Sequence, residues 1–321
     1  MSQYINLNRL EYIVTYQCSS NCRHCYATGE PSGSPTNINH IDAHLAVHVL
    51  REIGKKYALT SVMTFGGEPL LYPQVVCAIH QEAQALDIPH RSVITNGYWT
   101  KDEDKTQAIA RSLARSGVNQ VSISVDAFHQ EHVPLERVKR SAQVLWDAGI
   151  RDIQWNPCWL VSERDANEYN LTTRAILDEL EGFLPIKIDR GNVVEPQGKA
   201  LVNLGAYFQP AFDWPRTSCQ EIPYMDRLDD IRCLCVEPNG DIPVCGFLIG
   251  NAARDDINDI LEHYDPYQDA YLKLILEQGI EGVVRQARSL GLELRENGYY
   301  SICDLCTSLG RELAEAMRKR G

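Results

Sequence analysis

The sequence has no long apolar run, no cationic start leading into an apolar stretch, and no basic segment apart from the short Arg318-Lys319-Arg320 tail. Nothing approaches the roughly 18 apolar residues that a membrane span needs, and Met1 to Thr15 does not read as a signal peptide. A cytoplasmic location is expected. Positive charge is scarce throughout: 31 Lys and Arg face 43 Asp and Glu, a formal net charge of −12. Nucleic acid is bound by clustered Lys and Arg that displace counterions from phosphates, so nucleic acid is disfavoured as a partner, as is a membrane. Internal repeats and low-complexity segments are also missing.

What remains is an ordinary globular composition, 44% hydrophobic and 23% charged over 321 residues. That suffices for one large domain with an appendage, or for two domains. Against it stand eleven cysteines, at 18, 22, 25, 77, 158, 219, 233, 235, 245, 303 and 306. A reducing compartment disfavours structural disulfides, and an odd number cannot pair fully. Metal ligation is the leading explanation, and only Cys77 and Cys158 stand apart from the two terminal groups.

The first two-thirds alternates apolar strands with amphipathic helices. The strands are expected at Leu10 to Tyr16, Thr60 to Phe65, Ser92 to Asn96, Gln120 to Asp126, Asp152 to Leu160 and Ile186 to Val194. Helical patterns run at about 41–56, 73–86, 103–116, 133–148 and 166–181. Strands alternating with helices imply a parallel α/β sheet, and ligands of such folds bind beyond the carboxyl ends of the strands. Polar or Gly-rich residues stand at those ends: Gln17-Cys18, Gly66-Gly67-Glu68, Thr95-Asn96-Gly97, Asp126 and Asn156. After about residue 205 the rhythm changes. Ile231 to Val236 and Ile242 to Phe247 flank Glu237-Pro238-Asn239-Gly240-Asp241, a hairpin signal. The expected organisation is a domain over 1–205 and a smaller one over 206–321.

Cys18, Cys22 and Cys25 form a C-x3-C-x2-C run directly after the first strand. Three thiolates on one loop can hold three irons of a cubane cluster and leave the fourth iron open; a zinc site or inert buried thiols are the alternatives. The spacing, with His24 and Tyr26 around the third cysteine, resembles the signature of the radical S-adenosylmethionine (SAM) superfamily. Gly66-Gly67-Glu68-Pro69 is similar to that family's GGEP segment, and Val194-Glu195-Pro196-Gln197-Gly198-Lys199-Ala200 to its Pro-x-Gly-Arg-Ala stretch, with Lys in place of Arg. The resemblance covers about residues 9 to 200.

It implies a partial (β/α)6 TIM-like barrel whose open iron chelates SAM and whose reduced cluster cleaves it to a 5′-deoxyadenosyl radical. It also implies a peptide or small polar substrate and a low-potential electron donor such as flavodoxin or ferredoxin. Gly66, Gly67, Glu68, Pro69, Thr95, Asn96, Ser124, Asp126 and Asn156 fall where the family contacts SAM. The glycines would let backbone approach the ligand, and Glu68 would accept the SAM ammonium group.

Cys245 after Asn239-Gly240, together with Cys303-Asp304-Leu305-Cys306, resembles the auxiliary-cluster extensions called twitch and SPASM. With Cys219 they would saturate a second 4Fe-4S cluster, and too few cysteines follow Cys245 for the two-cluster SPASM form, so the twitch form fits better. The C-terminal domain is then a small α+β unit built on the hairpin. Twenty residues intervene between Cys219 and Gly240, six between Cys233 and Gly240, and four between Cys235 and Gly240. Cys219 is preferred as the fourth ligand, because an insertion is easier to accommodate than a ligand stretched from a paired strand.

If Pro238-Asn239-Gly240 is a three-residue loop, Glu237 pairs with Asp241 and Cys233 lies opposite Cys245. Cys233 and Cys235 then share a face with Cys245. A spare thiol there could return a hydrogen atom to a substrate radical, as in radical SAM epimerases that this half resembles. Peptide epimerases place that cysteine immediately after the hairpin ligand, where Gly246 stands here, so a structural or ligating role stays open for both. The reactions in view are thus epimerisation, or auxiliary-cluster-dependent oxidation or cross-linking of a peptide or sugar. An electron carrier that never turns over SAM is the alternative of another class. Many peptide modifiers have a leader-recognition domain ahead of the cluster motif, and the motif here begins at Cys18, which weighs against a peptide. The negative charge would suit a cationic peptide or amino sugar.

Of the remaining features, His44 and His48 read as a solvated helix face, and Cys77 and Cys158 as core residues. His129 either meets substrate or is satisfied by backbone, and Tyr299-Tyr300 is expected to shield the second cluster.

Overall fold

The computed structural model describes residues 2–25, 39–214, 219 and 225–318. Tyr26, Lys319 and Arg320 lie outside these described residues. In chain order the first half contains β1 (Ile5–Thr15), α1 (Ala43–Lys56), β2 (Ser61–Gly66), α2 (Pro73–Ala85), β3 (His90–Thr95), α3 (Glu103–Arg115), β4 (Gln120–Ser124), α4 (Ala127–Gln130), α5 (Leu135–Asp147) and β5 (Asp152–Asn156). There follow β6 (Cys158–Trp159), α6 (Glu168–Leu180), β7 (Lys187–Ile188), β8 (Asn192–Val193) and α7 (Lys199–Leu204). The last part adds β9 (Ile231–Val236), β10 (Asp241–Val244), β11 (Phe247–Asn251), α8 (Ile257–His263), α9 (Ala270–Ser289) and α10 (Ile302–Arg318).

The helices start where the sequence supplies caps. Asp42, Asp102 and Asn167 each accept a backbone N–H of the first turn of α1, α3 and α6, satisfying donors that a helix start leaves unpaired. Their apolar stripes cover one face of the sheet. Val49, Leu50 and Ile53 of α1, Ile79 of α2, Leu113 of α3 and Leu145 of α5 pack with Leu10, Tyr12, Val62, Val93, Val121 and Ile153 of the strands. Each fully buried aliphatic side chain contributes about 1.5–3 kcal/mol. The Tyr12 hydroxyl, inside this layer, donates to the Ala46 carbonyl at 2.9 Å. His80, also wholly buried, bonds the Thr64 hydroxyl through Nε2 at 3.0 Å.

The main sheet has seven strands in the order β7-β5-β4-β3-β2-β1-β9, all pairs parallel. This is the α/β architecture of a partial TIM-like barrel, with all strand ends of one sense on one rim. Two expected strands are broken: Pro157, with no N–H to donate, separates β5 from β6, and 189–191 separate β7 from β8. The short β6 and β8 pair with each other in parallel.

The hairpin expectation is corrected. The turn itself forms, with the Glu237 N–H donating to the Asp241 carbonyl at 2.9 Å. The arms then part: β9 joins the barrel sheet beside β1, and β10 pairs antiparallel with β11. Cys233 therefore lies opposite Arg9, and Cys235 opposite Glu11, instead of facing Cys245. The reason is in the side chains. Ile231, Leu234 and Val236 are buried, as a strand beside a barrel strand requires, and β1 would otherwise expose an unpaired edge.

Candidate active site

The strand ends carry the residues singled out in the sequence, and the structure ties most of them to one another. Gly67 N–H donates to the Thr15 carbonyl at 2.7 Å and Glu68 N–H to the Gln17 carbonyl at 2.8 Å, so the Gly-Gly-Glu segment is docked on the start of the cysteine loop. A Cβ on Gly67 would stand 2.1 Å from the Gln17 carbonyl oxygen, and one on Gly66, at φ +142°, 2.3 Å from that of Thr15. The close approach that needs glycine is thus to the chain's own loop, which corrects the expectation of an approach to ligand.

Glu68 is also not an open acceptor. It is wholly buried, and its carboxylate accepts from the Thr95 hydroxyl at 2.8 and 2.9 Å, from Asn96 N–H at 2.8 Å and from Leu70 N–H at 3.0 Å. Burial raises its pKa to about 7, and these hydrogen bonds oppose the rise. Asn96 carries the network onward: its Nδ2 donates to Ser19 Oγ at 3.0 Å and to Cys18 Sγ at 3.6 Å. Pro69 opens the single turn that follows Glu68.

Asp126 is occupied in the same way. It is fully buried and accepts from Phe128 N–H, His129 N–H, Cys158 N–H and His129 Nδ1, the last at 2.8 Å. Burial pushes its carboxyl up, but the charge and hydrogen bond of His129 outweigh this and hold it below its usual value. His129 is likewise pushed down by burial, and Asp126 more than reverses the shift. Its ring lies 5.1 Å from that of His24, which burial lowers to about 4. His129 is therefore held by a buried carboxylate, one of the outcomes that sequence reasoning missed. Ser124 and Asn156 are register partners at the ends of β4 and β5. Neither the Ser124 hydroxyl nor the Asn156 amide bonds another of the described residues, so these two stay open to a ligand.

Among the first three cysteines, Cys22 is buried, Cys25 half-buried and Cys18 exposed. Burial first, then Asp126 and the two neighbouring thiols, pushes Cys22 well above the usual thiol range.

The C-terminal cysteines form a second group. The Cys245 thiol donates to Cys219, which lowers Cys219 and raises Cys245, and Cys303 and Cys306 add to the raising of Cys245. Cys303 and Cys306 sit in the first turns of α10, and burial pushes their thiols up, to about 12 and about 11. Cys233 and Cys235 are absent from this group. They lie beside Glu11 on the β1 side of the sheet, and burial keeps both thiols well above the usual range. His44 and His48 are exposed, as expected of a solvated face.

One loop, residues 195–203, which runs on into α7, touches both groups. Lys199 Nζ donates to Asn21 Oδ1 at 2.5 Å and Asn203 Nδ2 to the Arg23 carbonyl at 3.1 Å, holding the first cysteine loop. Gln197 donates to Cys303, and Glu195 lies within electrostatic reach of it. Tyr299 is buried, with its ring 6.0 Å from that of Trp214.

Residues 12–152 match the Radical SAM superfamily model. That stretch is a radical SAM domain. The GTP 3′,8-cyclase of Moorella thermoacetica is 26% identical over 146 residues, 45% of this chain and 42% of that protein. The probable GTP 3′,8-cyclase of Saccharolobus solfataricus is 24% identical over 169 residues, 50% of each. The chain thus spans half or less of the length of these curated relatives. The structure of native anSMEcpe with bound AdoMet superposes at a TM-score of 0.50 and 13% identity, covering 98% of this chain and all of that one, a likeness of fold. Among the described residues no helix is long and apolar enough to cross a membrane.

The radical SAM domain implies a 4Fe-4S cluster with SAM, and the donor set fits it: three thiols on one loop, none paired in a disulfide. Among the described residues no three His, Cys, Asp or Glu close to single-ion distance. Thiolates around one tetrahedral zinc stand only about 3.8 Å apart, from a Zn–S length of about 2.3 Å.

Proposed function

We propose that this chain is a radical SAM enzyme with a second, four-cysteine cluster, acting on a C–H bond of a small polar metabolite or peptide. The observation that carries the reading is the 195–203 loop, which holds the first cysteine loop through Lys199 and Asn203 and meets the second group through Gln197. A bound cluster and SAM would supply the 5′-deoxyadenosyl radical. Cys18, Cys22 and Cys25 would hold that cluster, with Asn96 directing a hydrogen bond to Cys18 and Glu68 fixing Asn96. Ser124 and Asn156 would meet SAM directly. Pro69, Thr95 and Asp126 shape the rim, and Gly66 and Gly67 lock the loop. Cys219, Cys245, Cys303 and Cys306 would hold the second cluster, which suits removal of an electron from the substrate radical, and so oxidation, dehydrogenation or cross-linking. A flavodoxin or ferredoxin would reduce the first cluster.

A second reading, epimerisation, is favoured by one observation: Cys235 sits beside Glu11 in the barrel sheet, with burial keeping its thiol protonated. A protonated thiol is what hydrogen-atom return needs, and the resulting sulfur radical would then take an electron from the reductant and a proton from solvent. Turnover in deuterated water separates the two. Solvent deuterium at one inverted carbon, lost in Cys235→Ala, supports return; a product lighter by two hydrogens supports oxidation. The GTP 3′,8-cyclase relatives offer a nucleotide as substrate, but the scarcity of basic residues favours a neutral or cationic one.

A further inference from the structure

Tyr271 is 1% exposed, and its hydroxyl is buried with no oxygen or nitrogen partner among the described residues. Burying a hydroxyl without an oxygen or nitrogen partner forfeits its hydration, so its position calls for a cause. Several contacts hold it there. Asp269 caps α9 by accepting from Tyr271 N–H at 2.8 Å, and the ring packs on Phe247 with centroids 5.3 Å apart. The hydroxyl end lies on α10, where a Cβ built on Gly310 would stand 3.4 Å from it. Cys303, Cys306 and Gly310 fall at i, i+3 and i+7 and therefore share one face of that helix. The hydroxyl accordingly lies against the Cys306 thiol.

We infer that Tyr271 is a positioning residue for the second cluster, donating a hydrogen bond to the Cys306 sulfur once that sulfur is a metal-bound thiolate. This rests on the two-cluster reading. The Cys306 sulfur is thus the one polar group the hydroxyl meets among the described residues, and a neutral thiol is a weak acceptor whereas a thiolate is a strong one. A donor on a cluster sulfur stabilises the reduced, more negative state and raises the potential. No such donor was sought in the sequence, because Tyr271 lies in no cysteine motif.

The test is Tyr271→Phe in the full-length chain, which keeps the ring and removes only the hydroxyl. In a Cys18→Ala/Cys22→Ala/Cys25→Ala background, iron and sulfide are counted and the remaining cluster is titrated by electron paramagnetic resonance. The all-cysteine protein is titrated in parallel, with SAM added to mark the first cluster's signal. The expected result is equal iron with and without the substitution, and a more negative potential for the second cluster alone. Equal iron with an unchanged potential would overturn the inference and leave the two-cluster reading standing. No iron beyond the first cluster's in either protein with Tyr271 intact would overturn the two-cluster reading itself. A merely structural Tyr271 would show as lower stability of the metal-free variant, whereas removal of a hydroxyl that meets only a neutral thiol should leave it close to unchanged.

Discussion

At the scale of single residues, Glu68 and Gly67 do more to shape the site than any open ligand group. The Glu68 carboxylate gathers Thr95, Asn96 and Leu70, and through Asn96 it reaches Cys18. Glu68→Gln turns one acceptor into a donor facing donors. We expect a loss of about 1–3 kcal/mol in urea unfolding and reduced iron at the first cluster. Gly67→Ala forces a Cβ into the Gln17 carbonyl, and should abolish iron binding by the triad while sparing the C-terminal cysteines, as an iron count would show. His80 gives a pH signature. Burial lowers it to about 3, so between its ordinary value near 6.5 and about 3 the unfolded chain binds a proton that the folded one does not. Wild-type stability should therefore fall with falling pH through that window relative to His80→Gln, by up to about 1.4 kcal/mol per unit. Equal pH slopes in the two proteins would refute this.

At the scale of elements, β9 is the informative case. The carboxylate of Asp226, five residues ahead of the strand, accepts from Arg232 and Cys233 N–H at 2.7 and 2.6 Å, satisfying donors on the edge of the sheet. Leu234 is wholly buried, and Leu234→Ala should cost about 2–5 kcal/mol by thermal or urea unfolding, a loss far above that of an exposed hairpin arm. The sequence made α1 to α3, α5 and α6 legible because their apolar residues recur at helical spacing, in α1, α3 and α6 after Asp or Asn caps, and β1 to β5 because they are apolar and β-branched. It misplaced β9 because Pro238-Asn239-Gly240 is a true turn signal, and a turn fixes where two strands begin to part without saying whether they stay paired. The run of Ile231 to Val236, apolar at every position except Arg232 and so unlike the alternation of a hairpin arm, was the available clue. For the site, spacing exposed the two cysteine groups, whereas the burial of Glu68 and Asp126 depends on contacts from β3, α4 and β6 that no local pattern carries.

At the scale of the whole molecule, a parallel sheet places its strand ends on one rim, and the 195–203 loop joins the two cysteine groups there. Reconstituted protein should bind about eight irons in two clusters, and Cys303→Ala/Cys306→Ala about four. The most direct test is reductive SAM cleavage. Anaerobically reconstituted full-length protein, reduced with dithionite and given SAM, should release 5′-deoxyadenosine, and Cys22→Ala should not. Failure to form it with the first cluster intact, reduced and carrying SAM would contradict the account.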